Sequence, residues 1–289
     1  MSRTAKLEIS VLLSSAQLFF VTFLTLAFCS ATALAHGPGE ERIEEISALL
    51  AEQGDQGFLY ADRGRVYMDN QHWQEAMEDF NKAALLDPGY VEYDLDRARL
   101  AYSAGDYFRA LDFINLYLLR HETATEALLI HARSYRELGQ YRLAVISYEK
   151  ALASRSIAGA KASPEWYVEF AETLILTGEK DRALQILQQG IERLGTIGVF
   201  QVMAVDLEVS LGRYDAALKR IDQLLNQSQR KDLWLARRAD ILFRAGRREE
   251  AEKSYRQAWA ALQQLPQRLQ NVPASKKLAA DLEARISTL

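Results

Sequence analysis

Cysteine is nearly missing from this chain. One residue, Cys29, is all that 289 positions provide, and it sits in an apolar stretch near the start. The remainder has no disulfide, no thiol nucleophile and no cysteine-based metal site. A strong charge of one sign is also missing. The formal net charge is −4, with acidic and basic residues interspersed, so nothing resembles the basic footprint of a nucleic-acid binder. Histidine is rare: His36, His72, His121 and His131 are the four, and no ligand spacing joins them. There is no His-Glu-x-x-His, no Gly-x-Ser-x-Gly, no phosphate-binding glycine loop and no cysteine pair. No converging set of acids and bases marks a cleft. The sequence therefore offers no candidate for catalysis and implies no cofactor.

What is present begins with a leader of the export type. Arg3 and Lys6 precede residues 18–28, an uncharged apolar run, and small residues lead to Ala33-Leu34-Ala35. A basic start, a short apolar run and an Ala-x-Ala exit read as a signal peptide over residues 1–35. Cleavage after Ala35 would yield a periplasmic or secreted protein. The competing reading is an uncleaved membrane anchor, because the apolar region stretched over residues 11–35 is long enough to span a bilayer. Ser14, Ser15 and Gln17 interrupt it. Phe28, just before Cys29, is too bulky for lipoprotein processing. Cleavage would make His36 the new N-terminus, where a free amine and an imidazole can chelate copper(II). His36 is thus a metal candidate and the basis of an alternative reading, a copper-handling protein.

Beyond the leader, glycines fall at a fixed period. Gly105 and Gly139 are 34 residues apart, as are Gly178, Gly212 and Gly246. Five residues after each comes an alanine: Ala110, Ala144, Ala183, Ala217 and Ala251. Ala76 extends the series upstream, with Gln71 in the glycine's place. Such a period means a repeat array in which each unit buries its apolar face against the next. One slip interrupts it: Gly139 to Gly178 is 39 residues, and the excess falls in a small-residue loop around residues 157–163.

The unit over residues 57–90 shows the grammar. Tyr60, Gly64 and Tyr67 share one helical face, and Ala76, Phe80 and Ala83 share another. Asp69-Asn70-Gln71 supplies a turn between them, and Asp87-Pro88 stops the second helix. Gly64 and Ala76 let the helices approach closely while aromatics fill the gaps beside them. This pattern resembles the tetratricopeptide repeat (TPR), with Arg63 standing where that family usually has Leu. The resemblance runs over about residues 57–265 and implies an all-α, right-handed solenoid of six helix pairs. Residues 57–158 hold repeats one to three, 159–163 a connecting loop, and 164–265 repeats four to six. Residues 36–56 are expected to supply an N-terminal capping helix (41–53), and 266–289 a linker and a C-terminal one (278–289), as the ends of arrays need.

The family lines its concave groove with the first helix of each pair, and binds protein or peptide partners there. On each first helix the second, sixth, ninth and thirteenth positions lie opposite the core stripe. The ninth position reads Arg65, Arg99, Arg133, Glu172, Asp206, Asp240, three arginines followed by three acids. With Tyr102 and Phe243 as apolar contacts, this row is the candidate partner-binding site. Asp62 and Asp96 stand three residues before Arg65 and Arg99, so local pairing of the arginines is the competing reading. The clamp by which some TPR proteins hold chaperone C-termini needs Lys, Asn, Asn, Lys and Arg where this chain has Ala61, Arg65, Asp96, Glu126 and Ile130, so that partner class is excluded for this window. The function expected is an exported scaffold for a protein or peptide partner, of the kind used in envelope assembly or export.

Overall fold

The computed structural model describes residues 37–157, 162–195 and 197–288. The leader, Cys29, His36 and residues 158–161 of the small-residue loop lie outside them. Among the described residues there are fifteen helices and no strand. None of these helices is long and apolar enough to cross a membrane. The chain divides into two compact units, one ending at Leu138 and one beginning at Gly139. The division lies between the two helices of the third repeat, upstream of the loop where the sequence places its break.

The N-terminal unit holds α1 (Pro38–Gln53), α2 (Gly57–Asp69), α3 (Trp73–Leu86), α4 (Glu92–Ser103), α5 (Tyr107–Leu118) and α6 (Thr125–Glu137). The helices α2 and α3 pack as one pair, α4 and α5 as the next, and α1 covers the exposed side of α2. Gly64 is what allows the first pair to close: a Cβ there would stand 2.8 Å from the Phe80 ring. Arg63, the departure from the family pattern, has a task of its own. Its guanidinium meets both oxygens of the buried Asp79 at 2.8 Å and donates to the Ser47 hydroxyl at 2.9 Å. It thereby joins the capping helix to both helices of the first repeat.

The C-terminal unit holds α7 (Tyr141–Ile157), α8 (Pro164–Leu176), α9 (Lys180–Leu194), α10 (Gly198–Ser210), α11 (Tyr214–Gln227), α12 (Lys231–Arg244), α13 (Arg248–Gln263), the short α14 (Gln267–Gln270) and α15 (Pro273–Thr288). The pairs are α8 with α9, α10 with α11 and α12 with α13, and α15 closes the stack against α13. This last helix begins at Pro273, ahead of the expected Leu278, because proline in the first turn costs no backbone hydrogen bond.

The periodic alanines Ala76, Ala110, Ala144, Ala183, Ala217 and Ala251 are all 0% exposed, as close helix contacts require. The periodic glycines do something different. They sit in the turn inside each repeat at positive φ, from 71° to 84°, where a left-handed residue must end the first helix. Gln71 takes the same turn at φ 63° and is the one non-glycine at positive φ among the described residues.

Candidate functional site

The ninth-position residues lie on first helices as expected, and in the N-terminal unit they are joined rather than free. Arg65 of α2 donates to Asp62 and, at 2.7 Å, to Asp96 of α4. Arg99 of α4 donates to Asp96 at 2.9 Å and, through two nitrogens at 2.7 Å, to Glu126 of α6. Alternating charges thus run Asp62, Arg65, Asp96, Arg99, Glu126 across three successive first helices. The bond to Glu126 holds the Arg99 guanidinium above its ordinary pKa. Arg133 on α6 is also engaged in an interaction.

Asp96 corrects the position arithmetic. The sixth position was expected on an open face, yet Asp96 is 1% exposed. Within the N-terminal unit successive first helices stand side by side, so this position falls at their seam. Ile130, sixth in its repeat, is buried for the same reason. Tyr102 is half-buried and tilts against Tyr107 at 5.6 Å.

In the C-terminal unit the acids are engaged as well. Asp206 of α10 pairs with Arg237 of α12, Glu172 is engaged in an interaction, and Asp240 accepts from the Tyr255 hydroxyl at 2.6 Å. Burial, and then this bond, push the Tyr255 hydroxyl above the ordinary tyrosine pKa. Phe243 keeps 37% of its surface, with the Arg285 guanidinium of α15 5.8 Å from its ring centre.

Sequence reasoning missed the character of α10. This helix buries Gln201 and Glu208 while leaving Val199 45% and Val202 40% exposed. The buried polar groups are satisfied by Arg220 of α11, which donates to Glu208 at 2.9 Å and to Gln201 at 3.0 Å. Leu233 of α12 and Leu176 of α8 add exposed apolar surface at face positions of the neighbouring repeats. The available signal was valine at the second and fifth positions of the most degenerate repeat.

His72, His121 and His131 do not converge. His72 stacks on Tyr67, His121 on Tyr117, and His131 meets Tyr135 edge-on. No group of three or more His, Cys, Asp or Glu able to hold a metal occurs among the described residues.

Family models described as tetratricopeptide repeat match residues 57–90, 125–156 and 202–266. No curated protein matches the sequence. Among solved structures, the C-terminal part of a TPR repeat-containing protein from Cytophaga hutchinsonii superposes with a TM-score of 0.66 at 14% identity, covering 84% of this chain and 94% of that one. A tetratricopeptide repeat protein from Parabacteroides merdae gives 0.50 at 18% identity, covering 83% and 91%. YrrB, described as a TPR protein with an unusual peptide-binding site, gives 0.52 at 18% identity, covering 71% and 97%. Likeness at these identities concerns the fold. Together with the repeat models and the paired helices, it places the chain in the tetratricopeptide repeat family.

Proposed function

We propose that this chain is an exported, non-enzymatic scaffold that holds a protein or peptide partner on the outward face of its first helices. The supporting observation is that, within each unit, successive first helices stand side by side. The pair between Arg65 and Asp96 and that between Asp206 and Arg237 each bridge two of them. Same-position residues therefore form rows, and a row can meet an extended or helical segment at several points at once. The leader motivates export, with His36 as first residue of the processed protein, and a role in envelope assembly or export follows from that setting. N-terminal sequencing of the exported protein tests the first part; an intact Met1 would favour the anchored form.

Photo-crosslinkers placed at Tyr102 and Val202 of the full chain in cells test the second part. Leu119, 82% exposed near the end of a second helix, serves as control. Crosslinks to a defined partner from a first-helix position, without one from Leu119, are expected. Crosslinks from Leu119 alone would place binding elsewhere.

A further inference from the structure

We infer that the partner-docking face of the C-terminal unit is the outward side of α8, α10 and α12, and that it takes a peptide segment carrying basic residues beside apolar ones. This deepens the scaffold reading and rests on it.

The argument starts from α10. A helix that served only its own stack would turn Val199 and Val202 inward and Glu208 outward, since burying an ionic group costs free energy that apolar packing does not. Here the reverse holds. Arg220 is spent on satisfying Glu208 and Gln201, and valines face solvent. Exposed apolar surface that the fold does not need is the informative kind.

Neighbouring helices continue the surface. Tyr167 of α8 meets Phe200 of α10 edge-on at 5.9 Å, and Asp206 pairs with Arg237 of α12, so the three first helices are adjacent. Val199 and Leu233 occupy second positions, and Leu176 and Phe243 occupy the far ends of their helices. Between these apolar rows runs the ninth-position row of Glu172, Asp206 and Asp240. The second and ninth positions are separated by about 10 Å along a helix, close to the width of one helical peptide.

Charge selects the occupant. Residues 139–289 as a whole carry 23 Lys and Arg against 18 Asp and Glu. The outward positions of α8, α10 and α12 reverse that balance, with Glu165, Glu172, Asp206 and Asp240 against Arg237, which pairs with Asp206, and Arg244. The Tyr255 hydroxyl orients Asp240 without cancelling its charge. A basic stripe therefore meets the acid row while apolar side chains reach the valines and leucines. Three first helices at about 10 Å spacing span about 20 Å, the length of about 13 helical residues.

The probe is a fluorescein-labelled 14-residue peptide with lysines on one helical stripe and leucines on the adjoining one, titrated into the full chain. Two companions replace Lys by Glu, or Leu by Ser. The lysine–leucine peptide is expected to bind, and each companion at least tenfold more weakly. Val202→Glu and Leu233→Glu alter exposed side chains, so the fold should survive; circular dichroism and the thermal midpoint verify it. Each should weaken binding at least tenfold, whereas Leu119→Glu should not. Asp206→Lys should shift preference toward the glutamate peptide. Equal affinity for the lysine and glutamate peptides, no measurable binding, or indifference to Val202→Glu would overturn the inference. A partner crosslinked at Tyr102 alongside indifference to Val202→Glu would leave the scaffold reading standing and sink only this one.

Discussion

Glu208 and Val202 share one helix with the places their polarity suggests exchanged: the glutamate is 4% exposed and the valine 40%. The exchange is stable because Arg220 reaches Glu208 from α11. Removing one partner strands the other, so Glu208→Ala should lower stability by about 3 kcal/mol. Replacing both, as Glu208→Leu with Arg220→Met, should recover only part of that loss: a well-packed apolar pair matches a buried ionic one, but the buried Gln201 loses the hydrogen bond that Arg220 donates to it. Urea unfolding of the single and double variants measures this. An additive double variant would show that the two residues do not act as a pair.

Gln71 holds a left-handed turn that glycine holds in the later repeats. A side chain is disfavoured there by its Cβ, and glycine is not. Gln71→Gly should therefore stabilise the protein by about 1 kcal/mol. A lower thermal midpoint would mean that the glutamine side chain contributes more than its backbone loses.

Close contacts make the opposite prediction. A methyl group at Gly64 would meet the Phe80 ring at 2.8 Å, so Gly64→Ala should destabilise by about 1–3 kcal/mol, as overpacking does. Ala110→Leu and Ala144→Leu should cost a similar amount, both alanines being fully buried. Phe80→Leu should partly rescue Gly64→Ala and leave Ala110→Leu unaffected. Unchanged midpoints in all three single variants would remove these residues from the close contacts.

Much of the fold was legible because a repeat states its contacts several times over. Ala76 and Phe80 follow from spacing alone, and so does the turn at Gln71. The face was less legible. Position arithmetic treats a helix as if it stood alone, and Asp96 shows the consequence: the adjacent first helices and their arginines cover a position the arithmetic leaves open. Gln201 and Glu208 stand at the fourth and eleventh positions, on the core stripe, so spacing places them inside; their polarity argues against it, because their partner Arg220 lies on the following helix and local sequence does not predict its reach. The role of Arg63 was hidden similarly, since Ser47 and Asp79 come from different helices.

Tyr255 gives the alkaline limb of stability a definite sign. Its hydroxyl is raised by burial and by Asp240, while an unfolded tyrosine titrates at about 10. Below that pH both states keep the proton and the bond contributes fully. Above it the unfolded chain releases the proton first, so stability falls as pH rises. Tyr255→Phe should cost about 1 kcal/mol at pH 7 and flatten the decline between pH 10 and 11. Urea midpoints across pH 7–11 test this; parallel curves for the two proteins would assign the decline to other groups.

The arginine row can be assigned by removing the acid beneath it. Asp96 is almost wholly buried and accepts from Arg65 at 2.7 Å and from Arg99 at 2.9 Å. Both arginines keep more than a third of their side-chain surface, so water can rehydrate them once the acid is gone. Asp96→Ala should therefore cost about 2 kcal/mol, less than a fully buried pair would. Asp96→Asn keeps acceptor capacity without charge and should cost less. Arg65→Ala and Arg99→Ala should each cost about 0–1 kcal/mol, the range for partly exposed pairs, and 1 M salt should reduce even that. If this order holds, the row serves first to clamp adjacent first helices, and any partner must compete with Asp96 and Glu126 for the guanidiniums. If Asp96→Ala leaves stability unchanged, the bonds from Arg65 and Arg99 to Asp96 are not needed for the stack. Charge reversal at Arg65, Arg99 and Arg133 then reads binding directly, with loss of affinity for the crosslinked partner in a folded protein as the expected result.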